Sequence, residues 1–113
     1  MSTKDTVEQL KDLVVNSLED LKGIDIKVLH VSDMTSLTDY MIICSGTSER
    51  HVKALSNNVA VEVKKAKFNI RSEGEKDGEW VLLDLGDVIV HTMLPKTREF
   101  YDLEGLWQNS DAA

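Results

Sequence analysis

Five consecutive β-prone residues, YMIIC at 40–44, form the stretch that most restricts what this chain can become. A strand with one wet face alternates apolar and polar side chains, so an unbroken run reads as a strand covered on both faces. Its flanks supply cover. Val7, Leu10, Val14, Leu18 and Leu21 recur at three- and four-residue spacing, the apolar stripe of a helix over 5–22, with Gly23 at its end. After the strand, SGTSE leads into a second helix. Ser48 is its N-cap, Val52, Leu55, Val59 and Val63 form its apolar face, and it ends near Phe68.

The remaining segments read as further strands. IKVLHV at 26–31 has mixed polarity, and SDMTSLTD at 32–39 is polar and turn-like. Residues 69–73 suggest a short strand, followed by EKDGE with Asp77-Gly78 at the tip of a hairpin. WVLLDL at 80–85 and VIVHTML at 88–94 are strands joined at Gly86-Asp87. Pro95 stops the last of them, and residues 96–107 suit a short aromatic-rich helix. The expected fold is α/β: a two-layer, mixed five-stranded sheet with helices mainly on one face. The 113 residues suit one domain spanning 1–113, with a core over about 5–107 and a tail at 108–113.

Two long helices cover one face of such a sheet and leave the other in question. Trp80, Leu82 and Asp84 point to one side of their strand, and Val81, Leu83 and Leu85 to the other. Both sides are largely apolar. Either the C-terminal segment, with Phe100, Tyr101, Leu106 and Trp107, folds back over the second face, or that face is an interaction surface.

Charge is unevenly placed. The net charge is −7, and residues 73–113 hold ten acidic and three basic side chains, so this part carries the whole excess. Phosphate binding wants Lys and Arg, so this end is a poor nucleic-acid surface and a fitting one for a basic protein. No apolar run approaches the ~18 residues of a membrane helix. MSTKDTVEQ has no signal or transit character, and the one cysteine, Cys44, fits a reducing cytosol.

Catalytic constellations are missing. SGTSERH at 45–51 resembles a small anion-binding loop at a helix N-terminus, but it is neither GxGxxG nor a P-loop, and a capped turn explains it. Nucleotidyl transfer on such a loop needs paired carboxylates for metals, and Asp84 and Asp87 lie three apart across a turn. His91, in an apolar strand, suits a structural or interface role better than a general base. Trp80, just after an acidic hairpin, has the setting of an interface anchor, though a tryptophan in a small domain is also commonly core.

Three segments then acquire meaning together. DYMIICSGTSERHVKAL (39–55), GEWVLLDLGDVIVH (78–91) and REFYDLEGLW (98–107), in this order and spacing, resemble the ribosomal silencing factor family, also called RsfS or iojap-like. The resemblance implies a nucleotidyltransferase-like α/β fold without catalytic carboxylates, no enzymatic activity, no cofactor and no metal. It implies a translation repressor that binds ribosomal protein fourteen of the large subunit and sterically blocks joining of the small subunit when nutrients are scarce. It further implies a cytoplasmic protein, homodimeric when free, with no membrane and little direct nucleic-acid contact. Carried onto this chain, the partner-binding face includes Trp80, Leu82 and Asp84, with Asp87, His91 and Tyr101 as neighbours and Asp102 and Glu104 adding charge. A homodimeric adaptor for another partner and a vestigial nucleotide-binding protein are the alternatives.

Overall fold

A computed structural model describes residues 3–108. In chain order the elements are α1 (Thr3–Asp20), β1 (Ile24–His30), β2 (Tyr40–Ser45), α2 (Glu49–Lys65), β3 (Ser72–Lys76), β4 (Trp80–Asp84), β5 (Val88–Met93), α3 (Pro95–Tyr101) and α4 (Leu103–Gln108). The expected tail lies outside the described residues beyond Gln108. One mixed sheet has the order β1-β2-β5-β4-β3. Only β2 and β5 run parallel, because the chain between them crosses over through α2; the other neighbours are antiparallel.

β2 is covered on both faces, as its composition demands. Ile42 and Cys44 enter a cluster with Leu10, Val14 and Leu18 of α1 and Leu55, Val59 and Val63 of α2. Met41 and Ile43, pointing the other way, enter a second cluster with Leu29, Val31 and Met93, against which Leu103 and Trp107 pack. Helix α1 is tied to α2 by Asn58, whose Nδ2 donates to the Ser17 carbonyl at 2.8 Å.

Both long helices end in the same way, and neither ends where periodicity alone puts it. In α1 the Lys22 N–H bonds to Glu19 O and the Gly23 N–H to Leu18 O. In α2 the Lys67 N–H bonds to Lys64 O and the Phe68 N–H to Val63 O. These paired bonds are Schellman motifs, with a lysine rather than a glycine in the left-handed position: φ is 59° at Lys22 and 72° at Lys67. Leu21 therefore leaves the stripe and is exposed, while Phe68 turns back onto the core instead of extending the helix. Gly23 is small for another reason: a Cβ there would stand 2.4 Å from Cys44 Sγ.

Two further expectations are corrected. The short strand placed at 69–73 is β3 at Ser72–Lys76, running directly into the turn. All five of its residues are exposed, so hydrophobic pattern has no hold on it; pairing with β4 sets its position. The turn itself stands where expected, with φ 53° at Asp77 and 73° at Gly78 and the Glu79 N–H bonded to Lys76 O. The single helix over 96–107 is two, broken at Asp102, whose φ is 45°. The Asp102 carboxylate accepts from the Gly105 N–H at 3.1 Å and so caps the helix that follows.

Candidate functional site

The second sheet face is half covered. Leu103 and Trp107 lie over the half made by Met41, Ile43 and Met93. Phe100 and Leu106, also candidates for folding back, remain 81% and 67% exposed. The other half, built by β4 and β5, keeps Trp80, Leu82, Asp84 and Ile89 partly open. Edge strand β3 does not close it. Gly74 stands opposite Leu82, and a Cβ on it would meet nothing within 4 Å. A shallow groove of about 220 Å³ runs there, past Gly74, Trp80 and Leu82.

Trp80 is held by a fixed hydrogen bond. Its Nε1 donates to His91 Nδ1 at 3.0 Å. An indole N–H only donates, so Nδ1 must be the bare nitrogen and His91 is neutral. Burial drives the imidazole the same way, down to about 4 from its ordinary 6.5. His91 is 5% exposed, so it lies beneath Trp80 and positions it. Above the indole stands Tyr101, with ring centroids 4.9 Å apart, and Phe100 meets Tyr101 edge-on at 5.0 Å. Such pairs contribute on the order of 0.5–1.5 kcal/mol each beyond their buried area. The Lys76 ammonium donates to the Tyr101 hydroxyl and sits 4.9 Å from its ring centroid.

The carboxylates do not form one rim. Asp84 Oδ1 accepts from the Gly86 N–H at 2.8 Å, which stabilises the β4–β5 turn; Asp87, in the same turn, is exposed. Both stand at the Leu82 end of the open half. Asp102 is occupied as a helix cap. Glu104 faces the other way, bound by Arg98 Nε at 2.6 Å, and this hydrogen bond holds its carboxyl below the usual range. Arg98 Nη1 also donates to Ser45 Oγ at 2.9 Å and approaches the Ile24 carbonyl at 3.5 Å. This half-hidden guanidinium fastens α3 and α4 to the ends of β1 and β2. Sequence reasoning had no role for Arg98, and it missed Phe100 as a surface residue; the one available signal was an arginine beside three aromatic residues in REFYDLEGLW.

The strand-to-helix loop is closed by hydrogen bonds within the chain. The Gly46 N–H bonds to Met93 O, the Thr47 N–H to His51 Nδ1 at 2.8 Å, and the His51 N–H to Ser48 Oγ at 3.1 Å. His51 Nε2 in turn meets the Leu21 carbonyl at 2.8 Å, so the ring closes the loop against the end of α1. Such a loop is a capped turn, with the Gly46, Thr47 and His51 amides engaged within the chain. Cys44 is fully buried, and burial pushes its thiol up to about 11, a core residue without nucleophilic character. Among the described residues no group of three or more His, Cys, Asp or Glu is placed to hold a metal ion. Among them too, no helix is long and apolar enough to cross a membrane.

The chain is 50% identical over 102 residues to a ribosomal silencing factor RsfS of Chromobacterium violaceum, covering 89% of this chain and 84% of that one. It is 37% identical over 100 residues to a mouse protein named mitochondrial assembly of ribosomal large subunit protein 1, covering 85% of this chain and 44% of that one. A crystal structure of a Chromobacterium violaceum protein superposes with a TM-score of 0.87 at 48% identity, covering 89% and 85% of the two chains. The family model described as ribosomal silencing factor during starvation matches residues 4–113, and the chain belongs to that family.

Proposed function

We propose that this protein represses translation by binding ribosomal protein fourteen of the large subunit and occupying the surface that the small subunit needs. The observation that carries the reading is the open half of the sheet face, where Trp80 is fixed by His91 and flanked by Tyr101 and Leu82. Rigid aromatic anchors beside an apolar floor are what partner surfaces use. Asp84 and Asp87 border this surface, in the part of the chain that carries the excess negative charge, so a basic ribosomal protein is steered toward it. The name of the mouse relative refers to the large subunit, and we carry that subunit over to this chain.

The mechanism is steric and non-enzymatic. No bond forms or breaks. The factor binds one assembly state and not the other, so the subunit equilibrium shifts by mass action. It acts in the cytoplasm, and the open apolar face pairs with a second copy when no ribosome is present. Co-sedimentation with isolated large subunits, small subunits and neither tests the proposal. Pelleting with large subunits alone is expected, together with loss of subunit joining in a gradient. Absence of pelleting at physiological salt overturns it.

A further inference from the structure

Residues 73–113 hold only three cations, Lys76, Lys96 and Arg98. Arg98 is engaged in the latch to Glu104 and Ser45. The other two stand at one place: the mouth of a groove of about 370 Å³ between α3 and the start of β4. Its walls are Trp80, Phe100 and Tyr101, and its remaining charge is Glu79. Lys96 approaches Glu79 at 3.5 Å, an exposed and weak pair; Lys76 donates to the neutral Tyr101 hydroxyl and feels the Asp77 and Glu79 charges without a direct ion pair to either among the described residues. In the most acidic part of the chain, the residues lining the aromatic groove therefore carry two ammonium groups against one carboxylate, with Asp77 just outside the lining.

From this we infer that the groove receives an apolar side chain carrying, or directly followed by, a carboxylate. The three rings supply the apolar walls, and the two ammonium groups at the mouth pair with the anion. A lysine or arginine entering between the rings meets two like charges and, within the lining, one carboxylate that Lys96 already approaches. The inference deepens the proposed function and rests on it for the identity of the partner: a protein that is basic where it faces Asp84 and Asp87, but acidic where it enters the groove. Phe100, otherwise an unexplained exposed ring, becomes one wall of a recognition pocket.

The groove is tested without a ribosome by NMR titration with 4-phenylbutyrate and 4-phenylbutylamine, which share an apolar body and differ in charge. The carboxylate should shift the Trp80 indole and Phe100 resonances and bind at least fivefold more tightly than the amine. The variant K76Q/K96Q, altered only at exposed side chains, should lose roughly fivefold of the carboxylate's affinity and none of the amine's. Equal binding of both probes, or binding of neither, overturns the inference. Co-sedimentation of K76Q/K96Q with large subunits then separates the two proposals. Weaker pelleting than wild type supports the carboxylate. Tighter pelleting, by relief of repulsion, overturns it while leaving the ribosomal reading intact. Failure of wild type to pellet, with carboxylate binding preserved, removes the ribosomal reading alone.

Discussion

Trp80 and His91 are diagonal neighbours on adjacent antiparallel strands, and the indole N–H ends on the bare Nδ1 of a buried imidazole. The bond exists only while His91 is neutral, so pH acts on it through stability. In the unfolded chain this imidazole takes a proton near 6.5; in the fold it resists down to about 4. Between those values the unfolded chain holds a proton that the folded one lacks. Stability is therefore full above pH 6.5 and falls as pH drops toward 4, by about 3 kcal/mol from this residue. Urea unfolding at pH 7.5, 5.5 and 4.5 reads the slope. His91→Gln should flatten it, and an unchanged slope would remove His91 as its source.

Trp80→Ala takes away the anchor and leaves the helix-face core untouched, while removing one of the side chains packed on the edge of the α4-face core. A folded variant, checked by circular dichroism, should lose about 2 kcal/mol of binding to large subunits, roughly thirtyfold in Kd. Equal affinity to wild type would remove Trp80 from the interface.

The Asp84 and Asp87 charges act at longer range. Raising ionic strength from low to physiological should slow association with large subunits severalfold and change dissociation little. A stopped-flow measurement in which the association rate ignores salt would rule out steering.

Arg98 joins four segments through one side chain. Arg98→Met leaves Glu104 and Ser45 without their shared donor in a partly buried place, and should cost about 3 kcal/mol of stability. Glu104→Gln, which keeps a hydrogen-bond acceptor, should cost less than half of that. Thermal unfolding of the two variants checks the order, and equal losses would contradict the latch.

Gly23 and Cys44 are coupled by contact. A methyl group at 23 would meet Cys44 Sγ at 2.4 Å, so Gly23→Ala should destabilise by about 1–3 kcal/mol through overpacking. Adding Cys44→Ala opens the space, and the double variant should be more stable than the two single losses summed. Strict additivity in denaturant unfolding would show that glycine is needed there for another reason.

What the sequence made legible was whatever one segment states by itself. The YMIIC run announced a strand covered on both sides because four apolar residues in succession have no other use. The stripes from Val7 to Leu18 and from Val52 to Val63 announced helices, and Asp77-Gly78 announced a turn that only left-handed residues close. What was hidden depends on pairs distant in the chain. β3 carries no pattern, since its neighbours on one side are solvent and its place comes from β4. The break at Asp102 needs an aspartate in a left-handed conformation, which most aspartates do not adopt. Arg98 finds Ser45 and Ile24 only after the sheet has formed. The same holds for the site: Trp80 and Leu82 are neighbours by alternation, but Tyr101 and the two lysines reach Trp80 through tertiary packing.

The short helix α4 has a consequence for how the protein is made. Leu103 and Trp107, which cover Met41, Ile43 and Met93, are among the last described residues to be synthesised. Until they emerge from the ribosome, the nascent chain can complete its helix-covered face but must hold a methionine-rich apolar patch open to water. Final closure thus waits on a single turn and a half of helix, and a chain cut at Asp102 would keep the sheet and lose its seal. Its solubility in the cell would then depend on what else could shelter that patch while synthesis stalled.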